Sequence, residues 1–342
     1  MKGKTTPKRL LIALTILLIN LLQETNCWTS TGHLVIARLA AIRLSFTEVG
    51  TNALNWARSK IRPYSQVCGE ANHTFAEASV WKDKLEAQGW NSYQRWSFIN
   101  QPLYNYTGPR PDISINRDKH NIVWAINQCL SHLKSNQQVQ FGSARNILGE
   151  SLDLRNLISF IGDIHQPLHT TSLYSPFFND SIGDLNGKKF TVVSTDKKTI
   201  SSLFKQWESV FNLYPDTETP LSSQSFSLIN QTAENIRGRY RYESFAKRMN
   251  QSKTPESWAE ESFNISRDVV YKGVGLFQPL TQKYVQYGTE IAQQQIAIAG
   301  YRLAEMIQEI YNATEGYGLG ASSDRNSYRD RMLAAFNGGF ED

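Results

Sequence analysis

The chain has 342 residues, enough for one large domain or two of ordinary size, and its 40% hydrophobic and 20% charged residues exclude a disordered protein. The formal net charge is +5, but four basic residues and one acidic residue lie in the first 27 positions, so residues 28–342 carry about +2. Charge alone therefore gives no reason to expect binding to nucleic acid or to an acidic membrane.

The N-terminus has the pattern of a secretory signal peptide. Four basic residues precede Leu10–Leu22, a mostly apolar run of 13 residues, which is shorter than the roughly 20 residues a helix needs to cross a bilayer. Thr25 and Cys27 are small enough to precede a cleavage site, and Trp28 would become the first residue. We therefore expect a signal peptide over 1–27, no membrane anchor, and a protein that is secreted or held in the lumen of the secretory or endolysosomal system. An uncleaved anchor is the alternative.

Apolar periodicity predicts a mainly helical chain. The first helix has Ser30 or Thr31 as its candidate N-cap, and the third ends at Pro167. Lys188–Ser194, directly after the turn dipeptide Asn-Gly, is a strand candidate and half of a small hairpin. The predicted helices span 32–60, 120–135, 144–166, 200–213, 225–247, 256–274 and 279–312.

These elements predict a single all-α domain over 28–315, followed by a loosely attached C-terminal tail over 316–342. No segment has the pattern of a Rossmann unit, a glycine-rich phosphate loop or a nucleophile elbow. After signal-peptide removal two cysteines remain, Cys68 and Cys129. They would form one disulfide in an oxidising compartment or stay as two buried thiols, and the sequence does not decide between these states.

Seven Asn-x-Ser/Thr triplets support passage through the glycosylation machinery, although two or three of them could arise by chance. An asparagine in such a triplet is expected on the surface of a secreted protein. The seven are Asn72, Asn105, Asn179, Asn230, Asn250, Asn264 and Asn312.

The segment FIGDIHQPLH, residues 160–169, places two of the six histidines beside an aspartate. Asp163 and His165 are two residues apart, so on a helix they point about 200° apart. His169 follows Pro167, in a turn that can fold back under the helix end. Asp163 and His169 can then face one cavity while His165 faces away. A core aspartate near a histidine satisfied by hydrogen bonds is the alternative for this segment taken alone.

The start of the mature chain is a candidate metal site. Cleavage before Trp28 frees an α-amine with a pKa near 8, which can give up its proton to a metal at neutral pH. The amine and carbonyl of one residue form a chelate ring, and His33 adds a ring nitrogen from the first turn of the predicted helix.

Five segments, in order, resemble the zinc-dependent single-strand-specific nucleases of type I, the S1/P1 nuclease family, which shares a fold with bacterial zinc phospholipases C. The segments are WTSTGH at 28–33, SVWKD at 79–83, FIGDIHQPLH at 160–169, QWE at 206–208 and AGYRLAEMI at 299–307. The resemblance covers about residues 28–312. It implies an all-α fold, secretion and a trinuclear zinc site that cleaves phosphodiesters of single-stranded DNA or RNA and removes 3′-phosphates.

The resemblance implies one complete metal site, formed by the amine and carbonyl of Trp28, by His33 and by the bridging Asp163. It implies a second site at Asp83, where two histidines of the family correspond to Ser97 and Ser159. Asp83 and Asp163 alone form an oxygen-only pair, which suits Mg²⁺, Mn²⁺ or Ca²⁺ better than zinc. A basic residue of the family is here Glu86, with Lys82 and Lys84 nearby.

At the third site the resemblance retains His169, while Glu208 replaces an aspartate and Phe204 replaces a histidine. Phe98 matches an aromatic residue on which a base stacks, with an ordinary core aromatic as the alternative. Asn100 takes the place of a base-reading acid. Zinc needs at least three protein ligands even at open sites, so we expect about one zinc per chain rather than three.

Three functions follow from this pattern. The first is a metal-dependent nuclease or nucleotidase of weak or altered activity, which acts on single-stranded nucleic acid or nucleotides through Asp83 and Asp163. The second is a noncatalytic secreted glycoprotein that keeps the scaffold for binding. The third is a phosphoesterase for lipid head groups or another small ester, which rests on fold analogy alone. His73 is expected to face solvent, whereas His120 or His132 could reach a metal site in place of a lost ligand.

Overall fold

The computed structural model describes residues 28–68, 73–113, 115, 118–135, 147–195 and 199–315. The predicted signal peptide, the predicted C-terminal tail and Asn72 lie outside the described residues. Within them are ten α-helices, which confirms the predicted all-α class. These are α1 (Ser30–Leu44), α2 (Glu48–Cys68), α3 (Trp81–Ala87), α4 (Ile122–Lys134), α5 (Ile147–Ile164), α6 (Leu203–Glu208), α7 (Ser223–Arg239), α8 (Tyr242–Gln251), α9 (Pro255–Ile265) and α10 (Gln282–Thr314).

Two small sheets accompany the helices. Strands β3 (Thr191–Val193) and β4 (Ile200–Ser202) pair antiparallel and form the predicted hairpin, although β3 is shorter than the predicted strand. Strands β1 (Gln101–Tyr104) and β2 (Thr171–Tyr174) pair in parallel, which the sequence pattern did not predict. The short strand β2 follows a turn of 3₁₀-helix at Pro167–His169, so the parallel pair holds this turn in place.

The central helix α1 is buried along most of its length and packs against α10. Gly300 of α10 allows close approach, because a Cβ there would lie 2.7 Å from Leu39 Cβ. Helix α5 also packs against α1, α2 and α4. Residues at the N-terminus of α1 and at the C-terminus of α5 are therefore carried into the interior of the protein.

The predicted helix over 32–60 is wrong in its continuity, because the structure has two helices there. Helix α1 ends at Leu44. The Thr47 hydroxyl then accepts a hydrogen bond from Gly50 N at 3.0 Å and caps the start of α2. A threonine three residues past a helix end can cap the next helix in this way, and apolar periodicity carries no information about such a cap.

The cap of α1 also differs from the prediction. Thr29 is the N-cap, and its side chain accepts from Gly32 N. Ser30 is instead engaged by the loop after α6, where its Oγ donates to Asp216 Oδ1 at 3.0 Å, and the Thr31 hydroxyl donates to Pro215 O. Long-range partners therefore displace the cap by one residue.

Other helix predictions need smaller corrections. The range 200–213 holds β4 and the short helix α6, and the chain then passes through three residues with positive φ, Val210, Phe211 and Asn212. The range 225–247 is divided between α7 and α8. The range 256–274 holds α9 and a π-helical turn over Ser266–Val270. The helices over 120–135, 144–166 and 279–312 are confirmed within a few residues wherever the structure describes the chain.

Two further sequence expectations concern the whole fold. Cys129 is a buried free thiol rather than half of a disulfide, and burial raises its pKa well above the ordinary value. In the described part of the chain, no helix combines the length and apolar character needed to cross a bilayer.

Candidate metal centre

Three predicted ligand side chains meet in the interior. His33 lies on the first turn of α1, Asp163 on the last turn of α5, and Asp83 on α3. His33 Nε2 is 3.2 Å from Asp163 Oδ1 and 3.9 Å from Asp83 Oδ2. The side chains of His33 and Asp163 are fully buried. The structure thus brings together residues that are separated by up to 130 positions in the sequence.

Two glycines make room for this arrangement. A Cβ on Gly162 would lie 2.6 Å from His33 Nδ1, and a Cβ on Gly32 would lie 2.7 Å from Trp28 Cβ. The indole Nε1 of Trp28 donates to Gly162 O at 3.0 Å. This hydrogen bond holds Trp28 next to Gly162, the residue that precedes Asp163. A metal site that uses the main-chain atoms of Trp28 together with Asp163 requires this proximity.

Several polar atoms in this cluster have no hydrogen-bond partner among the described residues, although they are buried. They include both ring nitrogens of His33, both carboxylate oxygens of Asp163 and Nε2 of His169. A buried polar atom left unpaired costs about 1–3 kcal/mol. A metal ligand is an exception, because the ion takes the place of the missing partner.

The distances fit zinc at the first position. Two ligands at about 2.0–2.2 Å from a tetrahedral zinc are roughly 3.3 Å apart, close to the 3.2 Å between His33 Nε2 and Asp163 Oδ1. Within the described ranges, no three side chains of His, Cys, Asp or Glu form a group that could hold an ion. A metal here therefore needs the main-chain atoms of Trp28 as further ligands.

The second position differs from the oxygen-only pair expected from the sequence. The Lys82 ammonium lies 2.8 Å from Asp83 Oδ1 and 3.4 Å from Asp163 Oδ2, and it donates to Ser97 Oγ at 2.9 Å. The pair of carboxylates is therefore already neutralised in part by a lysine. Burial alone would raise the pKa of Asp163, but Lys82, together with His33, outweighs burial and holds this pKa below its ordinary value.

At the third position His169 is the remaining imidazole. Its Nδ1 donates to Ser97 O at 2.6 Å, and its ring stacks on Phe98 with 4.1 Å between ring centroids. Burial lowers the pKa of His169 to about 3, so Nε2 keeps its lone pair at neutral pH. Phe204 lies 5.5 Å away, centroid to centroid, and Glu208 is buried.

The two predicted substrate contacts border this third position. Phe98 is half-buried and has one face against His169, so a base could stack only on the rest of its surface. Lys188 Nζ lies 4.8 Å from the ring centroids of both Phe98 and Phe204. Asn100 Oδ1 accepts a hydrogen bond from Asn186 Nδ2 at 2.9 Å. The roles of Phe98 and Asn100 in substrate binding stay predictions.

The other histidines do not replace the lost ligands. His165 points away from the cluster, as its spacing from Asp163 predicts: Nδ1 donates to Ile161 O at 2.7 Å and Nε2 accepts from Arg302 at 2.8 Å. His120 and His132 are exposed and face surface aspartates. The expectation that His73 faces solvent is wrong, because this side chain is half-buried, and burial lowers its pKa to about 3.

The sequence reasoning missed the part that Lys82 plays in the cluster. The signal was present, because a lysine directly precedes the aspartate in SVWKD, and Ser97 and Ser159 stand where the resemblance implies histidines. The helical spacing of Lys82 and Asp83 does not by itself direct both side chains to one place. Their convergence depends on how α3 packs against α5.

Comparisons with known proteins agree with this geometry. A model of the S1/P1 nuclease family matches residues 28–312. Endonuclease 4 of Arabidopsis thaliana is 27% identical over 312 residues, covering 87% of this chain and 94% of that protein. Endonuclease 3 of the same plant is 24% identical over 315 residues, covering 89% and 96%. Because this family model covers most of the sequence, the chain belongs to the S1/P1 nuclease family.

Proposed function

We propose that this protein is a secreted nuclease-family member with one zinc site, which binds single-stranded nucleic acid or nucleotides and hydrolyses their phosphate esters weakly or with altered specificity. The observation that carries the proposal is the buried His33–Asp163 pair, whose ligand atoms have no hydrogen-bond partners among the described residues. The nuclease names of the Arabidopsis relatives support the substrate class.

The residues that would hold zinc are His33, Asp163 and the amine and carbonyl of Trp28. Bound there, zinc would supply a Lewis acid and bring the pKa of a coordinated water down to about 7. Asp163 stays ionised, because Lys82 and His33 hold its pKa low against burial. Lys82 adds a positive charge beside the reacting centre, and the neutral His169 offers the lone pair of Nε2 as a ligand or hydrogen-bond acceptor.

Weak activity is expected because the family's other two positions lack their ligand sets. Ser97 and Ser159 are neutral hydroxyls at neutral pH, and Phe204 provides no donor atom. With one ion, stabilisation of both the attacking and the leaving oxygen is lost. Each such electrostatic contact contributes about 10²–10³ in rate, so a loss of several powers of ten follows.

The test is metal analysis of the secreted, N-terminally processed protein together with a cleavage assay on single-stranded DNA. We expect about one zinc per chain and slow cleavage that Asp163→Asn abolishes. The Asn side chain keeps the shape of the carboxylate but removes its charge. Three tightly held zinc ions, or rapid zinc-dependent cleavage by the unmodified protein, would overturn the proposal.

A second candidate is a noncatalytic glycoprotein that uses the same scaffold only for binding. The contacts of Lys82 and the apolar side chain of Phe204 favour it, since both occupy places that catalysis would need for metals. Binding of single-stranded DNA that is equally tight with and without zinc, and without any Asp163-dependent cleavage, would select this candidate.

Secretion is a separate part of the proposal. It is supported by the N-terminal pattern and by the exposure of four sequon asparagines, Asn105, Asn179, Asn250 and Asn312, whereas Asn230 and Asn264 are half-buried. We expect the mature protein to begin at Trp28 and its mass to fall on enzymatic deglycosylation. N-terminal sequencing and intact-mass analysis measure both, and a mature start at another residue would remove the chelating amine.

A further inference from the structure

Lys82 is fully buried at the middle of the metal centre, and its ammonium is surrounded by groups from three elements. Besides the contacts to Asp83, Asp163 and Ser97 described above, Nζ lies 3.6 Å from Glu86 Oε1, one helical turn along α3. A lysine is almost never fully buried unless it is paired. Here the pairing is with the carboxylates that belong to the metal centre.

We propose that the Lys82 ammonium is a built-in cation that takes the place of the second metal ion of this family. It contacts both carboxylates that the resemblance assigns to that ion, Asp83 and Asp163. It also donates to Ser97, which stands at one of the two lost histidines. The inference rests on the proposed function for the position of the remaining zinc, and it concerns what fills the neighbouring position.

Charge supports a single ion beside this lysine. Asp83, Glu86 and Asp163 formally bring three negative charges into the cluster, and Lys82 brings one positive charge. The remaining two negative charges match one divalent ion, since histidine ligands are neutral. A second divalent ion beside this lysine would leave an excess of about two positive charges in a buried place, where uncompensated charge is costly.

The available space and the repulsion between cations also argue against a second ion beside Lys82. An ion bound by Asp83 and Asp163 would need their oxygens at about 2.0–2.6 Å, the same oxygens that face the ammonium at 2.8 and 3.4 Å. It would lie within about 3 Å of a positive charge, in surroundings where water screens little. The two cations therefore exclude each other.

The serines at positions 97 and 159 are compatible with a lysine in place of the second ion. Ser97 Oγ accepts a hydrogen bond from the ammonium, and the serine side chain is shorter than the imidazole that the resemblance places there. Ser159 is fully buried on α5, and its short side chain takes less space than an imidazole. The loss of two histidines and the presence of a lysine thus form one replacement rather than three separate defects.

The experiment compares the wild type with Lys82→Met, with the triple variant Lys82→Ala/Ser97→His/Ser159→His, and with Arg302→Met as the control. Arg302 is also buried and paired with a carboxylate, Glu261, but lies outside the metal centre. Zinc per chain is counted by native mass spectrometry, and thermal unfolding is followed with chelator and with zinc.

With chelator, Lys82→Met should lower Tm by on the order of 5–10 °C, because its carboxylates lose their cation. The triple variant should bind one zinc more than the wild type and recover its Tm only with zinc. Arg302→Met should lose stability without any change in zinc count.

Two zinc ions in the wild type, an unchanged Tm for Lys82→Met, or no added ion in the triple variant would each overturn the inference. The wild type could also bind no zinc while the triple variant still gains one ion. In that case the zinc position of the proposed function is wrong, but the inference that Lys82 replaces the second ion stands.

Discussion

Two buried clusters lie on opposite sides of the C-terminal end of α5, and each contains a histidine, a carboxylate and a basic residue. In the first, both nitrogens of His165 are hydrogen-bonded, and Arg302 reaches Glu261 through contacts of 2.8 and 3.1 Å. In the second, neither nitrogen of His33 and neither oxygen of Asp163 has a hydrogen-bond partner among the described residues.

The two clusters therefore contain similar residue types and differ in whether the histidine and the carboxylate have hydrogen-bond partners. Buried polar groups in proteins are nearly all hydrogen-bonded, so the exceptions call for an explanation. In the cluster of His165 the histidine is fully hydrogen-bonded, and Arg302 Nε is the one atom of the three side chains that lacks a partner among the described residues. On the proposed function, an ion supplies the partners that His33 and Asp163 lack, and the predictions below test this difference.

The largest effect is expected from the two histidines. His33→Ala should lower zinc affinity at least about 100-fold, to the point that no zinc is counted, because it removes the only imidazole of the first position. His165→Ala should leave the zinc count unchanged but lower Tm, since Arg302 loses an acceptor. Native mass spectrometry counts the zinc, and thermal unfolding measures Tm. Loss of zinc in both variants would contradict the proposed difference between the two clusters.

Restoring the lost ligands is the next test. Ser97→His, Ser159→His and Phe204→His together should add little activity while Lys82 remains, because its ammonium keeps the second ion out. Adding Lys82→Ala should raise cleavage of single-stranded DNA at least about 100-fold. If cleavage rises equally with and without Lys82→Ala, the ammonium does not keep the second ion out, and this prediction is wrong.

A smaller effect should follow from filling space behind a ligand. Gly162→Ala places a Cβ 2.6 Å from His33 Nδ1, so the imidazole must move and zinc affinity should fall about 10- to 100-fold. Gly288→Ala is the matched control, because its Cβ would meet Phe211 at 2.6 Å, and none of the nearest atoms belongs to Trp28, His33 or Asp163. Zinc titration followed by competition with a chelating dye measures both variants, and equal affinities would contradict the close approach.

The last prediction concerns stability rather than zinc binding, and it is a slope in the free energy of unfolding against pH. Burial and Arg302 lower the pKa of His165 to about 3, so the unfolded chain binds the proton more readily. Stability from this histidine is complete above about pH 6.5 and falls by about 1.4 kcal/mol per unit as the pH drops towards 3.

Glu261 acts in the same direction at lower pH. Burial alone would raise its pKa, but hydrogen bonds and charge from Arg302 lower it to about 2. Stability from this carboxylate is thus lost as the pH falls from about 4.5 to 2. Urea unfolding at several pH values in chelator should show the slope, and His165→Gln should reduce it between pH 6.5 and 4.5. A slope unchanged by this substitution would contradict the assignment.

The helical class could be predicted from the sequence because it depends on local patterns, whereas the ligand set is a prediction that follows from the motifs shared with the family. Apolar periodicity located α4, α5 and α10, and the order Asp163, Pro167, His169 indicated a turn that returns to the helix end. The breaks after α1 and α7 were missed. Helix ends depend on caps such as Thr47 and on loop partners such as Asp216, which periodicity does not record.

By itself, the sequence determined which residues are expected in the metal centre: the motifs shared with the family predict His33, Asp163, Asp83 and His169, and the positions where histidines are missing. Tertiary structure alone decided what stands in their place. Lys82 reaches Asp163 across 81 positions only because α3 packs against α5. The sequence gives the type of each residue. The net charge of a buried site, in contrast, depends on which side chains the packing of the helices brings together.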